Sequence, residues 1–220
     1  MEPLNRLMMF SPDVYRATVS AYNEAAWSVT AVAYAVGIIA LARLATGHRL
    51  TVSTVYTAVA AMWLWVGFVF LAGYYGTIDW SANGVAAVFL VEGVLLMRYA
   101  WSAAARAPIA ARGMCGIAGI AWCAASMLLG PLSALAGEST FAASAYFGTA
   151  PQTVVWLTLG VALMTPRPPW PMLVLMAPAA VATALTALGV GDRPALGTWV
   201  VFAASSLAIP LSARRRRPSS

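Results

Sequence analysis

Lysine is absent from this chain, and charged residues of all kinds make up only 9% of its 220 residues. A soluble domain usually has about one quarter charged residues. Hydrophobic residues account for 61% of the sequence, more apolar surface than a globular core could hide. The composition therefore predicts that lipid is the solvent for much of the chain, which favours an all-α membrane protein.

Histidine and cysteine are also scarce, with His48 alone and two cysteines, Cys115 and Cys123. On a helix the two cysteines would lie about 12 Å apart along the axis, too far to share one ion. A single histidine excludes bis-histidyl haem, and the lack of lysine excludes a retinal Schiff base. No Ser–His pair, phosphate loop or metalloprotease motif is present. We therefore expect no enzyme activity, no cofactor and no metal site.

Seven apolar segments are candidates for membrane helices, for which about 20 residues cross a hydrocarbon layer of about 30 Å. The fifth segment is shorter than this. It is either less tilted or partly re-entrant, or its helix begins earlier, around residues 142–146. The sequence thus predicts a bundle of seven transmembrane helices at residues 25–44, 52–74, 82–104, 113–136, 151–164, 170–190 and 195–211.

The residues before the first apolar segment predict a separate short helix. Ser11 is a typical cap, Pro12 suits the first helical position, and Asp13 places an acid in the first turn. Residues 14–24 are half polar, which is typical of a helix at the membrane surface. Residues 1–20 lack the basic start and apolar run of a secretory signal, so we expect the first membrane helix to be retained. Three parts follow: an interfacial segment at 1–24, a transmembrane domain at 25–213 and a basic tail at 214–220.

The arginines predict the orientation. With the N-terminus outside and the C-terminus inside, ten of the 13 basic residues fall at inside ends: Arg43, Arg49, Arg98, Arg106, Arg112, Arg167, Arg214, Arg215, Arg216 and Arg217. This is the positive-inside pattern of a multi-pass protein, and it favours a bacterial inner membrane over nucleic-acid binding. The tail from Arg214 to Arg217 is predicted to lie on anionic lipid headgroups, as a topology anchor. A homo-oligomer or a membrane partner stays open.

Glu92 is the one acid predicted to lie inside a membrane helix, near the middle of the third segment. An ionised carboxylate there costs several kcal/mol unless it is protonated, paired or hydrated, and such residues mark ion or proton paths. Residues predicted at a similar depth complete a hypothetical ligand or ion pocket: Tyr34, Trp63, Cys123 and Ser205. The alternative is a protonated glutamate that hydrogen-bonds two helices together.

Trp63 and Trp65 lie in the middle of the second segment, where tryptophan is unusual because most membrane tryptophans lie at the interface. At 100° per residue their rings point to different sides of the helix. Core packing is favoured over a ligand wall, since aromatic side chains supply much packing area. Cys123 is likewise interpreted as apolar filler.

Several stretches resemble a bacterial integral membrane protein family of unknown function. They are the stretch from Ala21 to Trp27 (YN…W), Trp63 to Gly67 (WLWxG), Ile78-Asp79 through Glu92, Phe147 to Pro151 (GxxP), Thr158 to Gly160, and Pro178 with Gly191-Asp192. The chain departs from that pattern at Phe70-Leu71, Gln152-Thr153 and Glu92. The resemblance implies a multi-helix membrane protein and no particular activity.

Two functions follow as expectations. One is transport or binding of a small solute or ion in a midplane pocket around Glu92 and Trp63; without an ATP-binding motif, transport would be passive or ion-coupled. The other is a non-catalytic accessory or structural subunit of the membrane.

Overall fold

The structure, a computed structural model, describes residues 10–137, 140–169 and 176–190. This part of the chain is helical and contains no strand, so the predicted all-α class is confirmed. Its seven α-helices are α1 (Pro12–Ala25), α2 (Trp27–Ala45), α3 (Val52–Trp65), α4 (Ala82–Ala100), α5 (Met114–Leu135), α6 (Pro151–Met164) and α7 (Met176–Val190).

Helix α1 begins where the sequence predicts it. Ser11 is the N-cap, and its hydroxyl accepts a hydrogen bond from the Val14 N–H at 3.4 Å. Pro12 occupies the first helical position and Asp13 lies in the first turn, where it also pairs with Arg16 at 3.0 Å. The local capping chemistry is therefore sufficient to place this helix.

Four helical stretches are long and apolar enough to cross a membrane: Trp27–Ala45, Val52–Thr77, Ala82–Ala100 and Met114–Leu135. Two further apolar helices, α6 and α7, are shorter. The predicted third helix is too long at its end, because α4 stops at Ala100 and Ser102 takes an extended backbone before a 3₁₀ turn at Ala103–Arg106. The helix predicted at 195–211 lies outside the described residues.

Helix α3 does not continue as an α-helix. From Val66 to Tyr74 it is a π-helix, followed by a 3₁₀ turn at Tyr75–Thr77. At its end the Tyr75 N–H is shared between the Phe70 carbonyl, five residues back, and the Leu71 carbonyl, four residues back. The segment therefore stands at the boundary between the π and α hydrogen-bond patterns.

Helix α6 lies at the centre of the described bundle. All of its residues except Gln152 and Leu163 are buried, and α3, α5 and α7 pack around it. Its 14 residues measure about 21 Å, less than a membrane crossing. The helix begins at Pro151, so the alternative start near residues 142–146 is wrong: Phe141–Ala143 forms a 3₁₀ turn, and Ser144 is extended.

The chain entering α6 is held by α1 from the other end of the sequence. The Tyr22 hydroxyl donates to the Thr149 carbonyl at 2.9 Å, and the Asn23 amide donates to the Ala142 and Ser144 carbonyls at 2.8 and 2.9 Å. Trp65 completes this network by donating its indole N–H to the Tyr22 oxygen at 2.9 Å. Non-helical backbone inside a membrane protein needs such partners, because lipid supplies none.

The loops that carry several of the predicted inside arginines meet at one end of the bundle. Backbone hydrogen bonds join the loop before α3 to the loop before α5, through Val52 to Ala107 and Ile109 to Leu50. The latter loop also joins the end of α6, through Ala110 to Met164. Arg49, Arg106, Arg112 and Arg167 therefore lie at the same end of the bundle.

Glycine allows α5 and α6 to cross at very short range. A Cβ built at Gly160 would stand 2.6 Å from the Cys123 sulfur and 2.9 Å from the Gly119 carbonyl oxygen. A Cβ at Gly119 would in turn overlap Met164 and the Gly160 carbonyl. Small residues at such a crossing let helix backbones pack closely in lipid.

We predict that Gly160→Ala lowers the free energy of unfolding by about 1–3 kcal/mol, because the added methyl overpacks a backbone contact. Gly84→Ala is the matched control, since nothing lies within 4 Å of a Cβ at that helical glycine. The measurement is thermal or denaturant unfolding in lipid nanodiscs. Equal stability of the two variants would contradict the close crossing.

We also predict that Tyr22 makes stability fall at alkaline pH. Burial raises the pKa of its phenol from 10.0 to about 12. In the unfolded chain this phenol ionises at lower pH than in the folded protein, so its contribution is complete below about pH 10 and is lost as the pH rises towards 12. Unfolding of wild type and Tyr22→Phe, compared from pH 8 upwards, should show a smaller alkaline loss in the variant. An identical pH dependence would contradict the assignment.

Candidate functional site

Glu92 lies in the middle of α4 and is completely buried. Neither of its carboxyl oxygens has a hydrogen-bond partner among the residues that the structure describes. Buried polar groups in proteins are nearly always hydrogen-bonded, so a carboxyl group without a donor is a marked exception. An ionised carboxylate in this position would have nothing to offset the loss of water.

Close helix packing explains why Glu92 is sealed. A Cβ at the next residue, Gly93, would stand 2.8 Å from the Leu64 side chain, and one at Gly67 would stand 3.1 Å from Phe89 and Leu90. Helix α3 and its π-helical continuation therefore lie directly against α4 along the length that carries the carboxyl. The two glycines bring these helices into direct contact at both positions.

Large aromatic side chains lie on the two helices beside the site. Phe89 is one turn before Glu92 on α4, and its ring packs on Trp63 with centroids 4.3 Å apart. Tyr56 is fully buried two turns before Trp63 on α3, within electrostatic range of Glu92, and accepts a hydrogen bond from the Thr165 hydroxyl at 3.4 Å. The region of the carboxyl therefore contains three large rings, one of them a phenol.

Trp63 is fully buried and its polar group is already engaged. The indole N–H donates to the Thr158 hydroxyl of α6 at 2.8 Å, and that hydroxyl donates to the Val154 carbonyl at 2.7 Å. Trp65 points elsewhere, to Tyr22, which agrees with the predicted separation of the two rings. Both tryptophans therefore join helices, the packing role that the sequence favoured.

Tyr34 and Cys123 are also engaged in contacts between elements. The Tyr34 hydroxyl donates to the Met127 carbonyl at 2.9 Å and accepts from the Phe147 N–H at 3.4 Å. Cys123 is buried against Gly160 of α6. Trp63 meets α6 at Thr158 and Cys123 meets it two residues later, on a different face of that helix.

The residues of the hypothetical pocket that the structure describes have different hydrogen-bond partners, and Glu92 has none. Among the described residues no hydrogen bond joins any two of Glu92, Trp63, Tyr34 and Cys123. Ser205 lies outside the described residues. Within ranges 10–137, 140–169 and 176–190, no three His, Cys, Asp or Glu side chains come together as metal ligands.

Sequence reasoning missed a second pair of buried polar groups. Trp122 of α5 and Trp156 of α6 stack with centroids 5.1 Å apart, and neither buried indole N–H has a partner among the described residues. Nothing in the sequence could identify this pair, because the two residues are 34 positions apart and each reads as an ordinary apolar helix residue. Unlike Glu92, neither side chain can ionise.

The segments that carried the family resemblance meet in space. Tyr22 of the YN pair on α1 donates to Thr149 of the GxxP stretch before α6, and Trp65 of the WLWxG stretch donates to Tyr22. Trp63 of the WLWxG stretch makes a separate hydrogen bond to Thr158, in the Thr158 to Gly160 stretch. Their joint role in the structure is to hold the short central helix and its entry.

Comparison with known proteins gives one match. No curated protein and no solved structure resembles the chain significantly. Residues 13–207 match DUF6064, which is described as a family of unknown function. Because the match spans most of the sequence, from the start of α1 to beyond α7, the chain belongs to the DUF6064 family.

Proposed function

We propose that this DUF6064 protein is a multi-pass protein of a bacterial inner membrane that binds and carries a small solute or ion at Glu92. The observation that supports the proposal is a fully buried carboxyl without a described partner, in the middle of a helix long enough to span a membrane. A charge-bearing group inside the bilayer is expensive and is commonly retained for ion or proton movement. A purely structural glutamate would be expected to hydrogen-bond a neighbouring helix.

The site in this proposal is narrower than the pocket predicted from helix midpoints. It centres on Glu92, with Phe89, Trp63 and Tyr56 as its surroundings. Tyr34 and Cys123 take no part, because the Tyr34 hydroxyl binds the Met127 carbonyl of α5 and the Cys123 thiol binds the Leu157 carbonyl of α6. The proposal therefore depends on one carboxyl group, and a single substitution tests it.

We predict that proteoliposomes containing the wild type pass at least one of four probes: radioactive Na⁺, radioactive Rb⁺, protons detected by an internal pH dye, or glycerol detected by osmotic swelling. Glu92→Gln should reduce that flux to the level of empty liposomes, because the amide keeps the size and loses the titratable charge. Glu24→Gln is the matched control, since Glu24 is an exposed glutamate on α1.

A second function is favoured by a different observation. Trp63, Tyr34 and Cys123 all contact other helices or their loops, as in an accessory or structural subunit. If no probe crosses and Glu92→Gln folds and unfolds like the wild type, transport is contradicted and the accessory role is retained.

We also propose that the chain crosses the membrane seven times with the N-terminus outside. The shared end of Arg49, Arg106, Arg112 and Arg167 supports this threading, because positive loops stay on the cytoplasmic side. Single cysteines at Asp79 and Arg106, placed in a variant lacking Cys115 and Cys123, should react with a membrane-impermeant thiol reagent from opposite sides of the cell membrane. Labelling of both from the same side would contradict the orientation.

A further inference from the structure

The packing around Glu92 restricts what this group can bind. The backbones of α3 and α4 approach so closely at Gly93 and Gly67 that a Cβ would meet Leu64 at 2.8 Å and Phe89 at 3.1 Å. The carboxyl itself has no exposed surface. A sodium or potassium ion needs several oxygen ligands, and no three His, Cys, Asp or Glu side chains of the described residues come together to hold one. A proton needs only one oxygen and no cavity.

The charges near the site are consistent with a neutral occupant. Elements packed against α4 are α3, the π-helical segment, the two 3₁₀ turns and α7. The titratable and charged side chains of these elements are Tyr56, Tyr74, Tyr75 and Arg106, and described α7 adds none. The second half of α4 itself adds Arg98 and Tyr99. Tyr56 of this set lies within electrostatic range of Glu92, and none of the described arginines forms an ion pair with Glu92. Without a cation beside it, the neutral acid is the form that this site tolerates.

One element next to the site has two available hydrogen-bond patterns. The π-helical segment Val66–Tyr74 packs along α4, and its Gly67 contacts Phe89, one turn from Glu92. The N–H of Tyr75, which directly follows the segment, is shared between the Phe70 carbonyl, five residues back, and the Leu71 carbonyl, four residues back. The segment also contains Gly73, which is exposed. A Cβ at Gly73 would stand 3.5 Å from the Phe68 carbonyl oxygen, an ordinary van der Waals contact. A change from π to α would shift the register of the segment and move its contact with Phe89.

We propose that the ligand of Glu92 is a proton and that the π-helical segment Val66–Tyr74 is the element that moves to admit it. This inference rests on the proposed function, of which it names the ligand. In the sealed state the carboxyl is protonated. When the segment shifts, water reaches the carboxyl group. The acid gives its proton to that water and becomes a hydrated carboxylate. A hydronium ion from the other side of the membrane reverses the step by returning a proton to the carboxylate.

The test is infrared spectroscopy of the protein in lipid, with the carboxyl band assigned by subtracting Glu92→Gln. Transfer to deuterated water should shift the band as the acid proton exchanges for deuterium. Gly73→Ala should speed that exchange about fivefold, because alanine favours the α pattern to which the segment shifts and the difference in helix propensity between glycine and alanine provides that ratio. Gly84→Ala, an exposed helical glycine of α4 with open space around it, should exchange at the wild-type rate.

Each other result overturns part of the inference. A band that never exchanges in the wild type shows a sealed group and rules out proton loading, whether or not any variant folds. Bands of an ionised carboxylate that respond to Na⁺ or Rb⁺ at constant pH show a metal cation as the ligand; the proposed function then stands and the proton is wrong. Equal exchange rates in Gly73→Ala and Gly84→Ala overturn the role of the π-helical segment.

Discussion

The absence of water in a bilayer governs this structure, because every polar group inside must find its partner within the protein. The described chain meets that requirement in the place where it is hardest to meet, the non-helical entry to α6. Tyr22 and Asn23 supply donors to the carbonyls of that entry, and Trp63 anchors the helix itself through Thr158. A helix too short to span a membrane is thereby held at the centre of the bundle.

Glu92 is significant because it breaks this rule in the same bundle. Its oxygens lack described hydrogen-bond partners, although the indole N–H of Trp63 on the neighbouring helix α3 is bonded to Thr158. The glycines Gly67 and Gly93 bring α3 and its π-helical continuation into close contact with α4 beside the carboxyl. The same close packing that stabilises the helix pair therefore leaves the carboxyl dependent on its proton, and any change of charge there must involve movement of a neighbouring element.

Much of the fold could be predicted from composition and local signals. The Ser11 cap, the positions of α2, α5 and α6, and the common end of the arginine loops all follow from short-range chemistry or from charge. The π-helical segment could not be predicted, because its run of apolar residues suits an α-helix and a π-helix equally. The burial of α6 also escaped prediction, since an apolar helix facing lipid and one facing protein have similar compositions.

The proposed site keeps Glu92 and Trp63 from the sequence prediction and adds Phe89 and Tyr56, which the sequence did not indicate. Glu92 was identifiable because a lone acid in an apolar run is visible in any sequence. Trp63, Tyr34 and Cys123 were grouped with it by depth alone, and depth does not say which way a side chain points around its helix. The rotation is set by packing between helices far apart in sequence, such as Cys123 against Gly160 and Trp63 against Thr158.

The central claim is that the carboxyl group of Glu92 is neutral and accepts no hydrogen bond from the protein. The measurement that tests it most directly is the position of its C=O stretching band at neutral pH, from the infrared difference between wild type and Glu92→Gln in lipid. We predict a protonated carboxyl band at the high frequency of a group without a hydrogen-bond donor. A band lowered by strong hydrogen bonding, or the paired bands of an ionised carboxylate, would contradict the account.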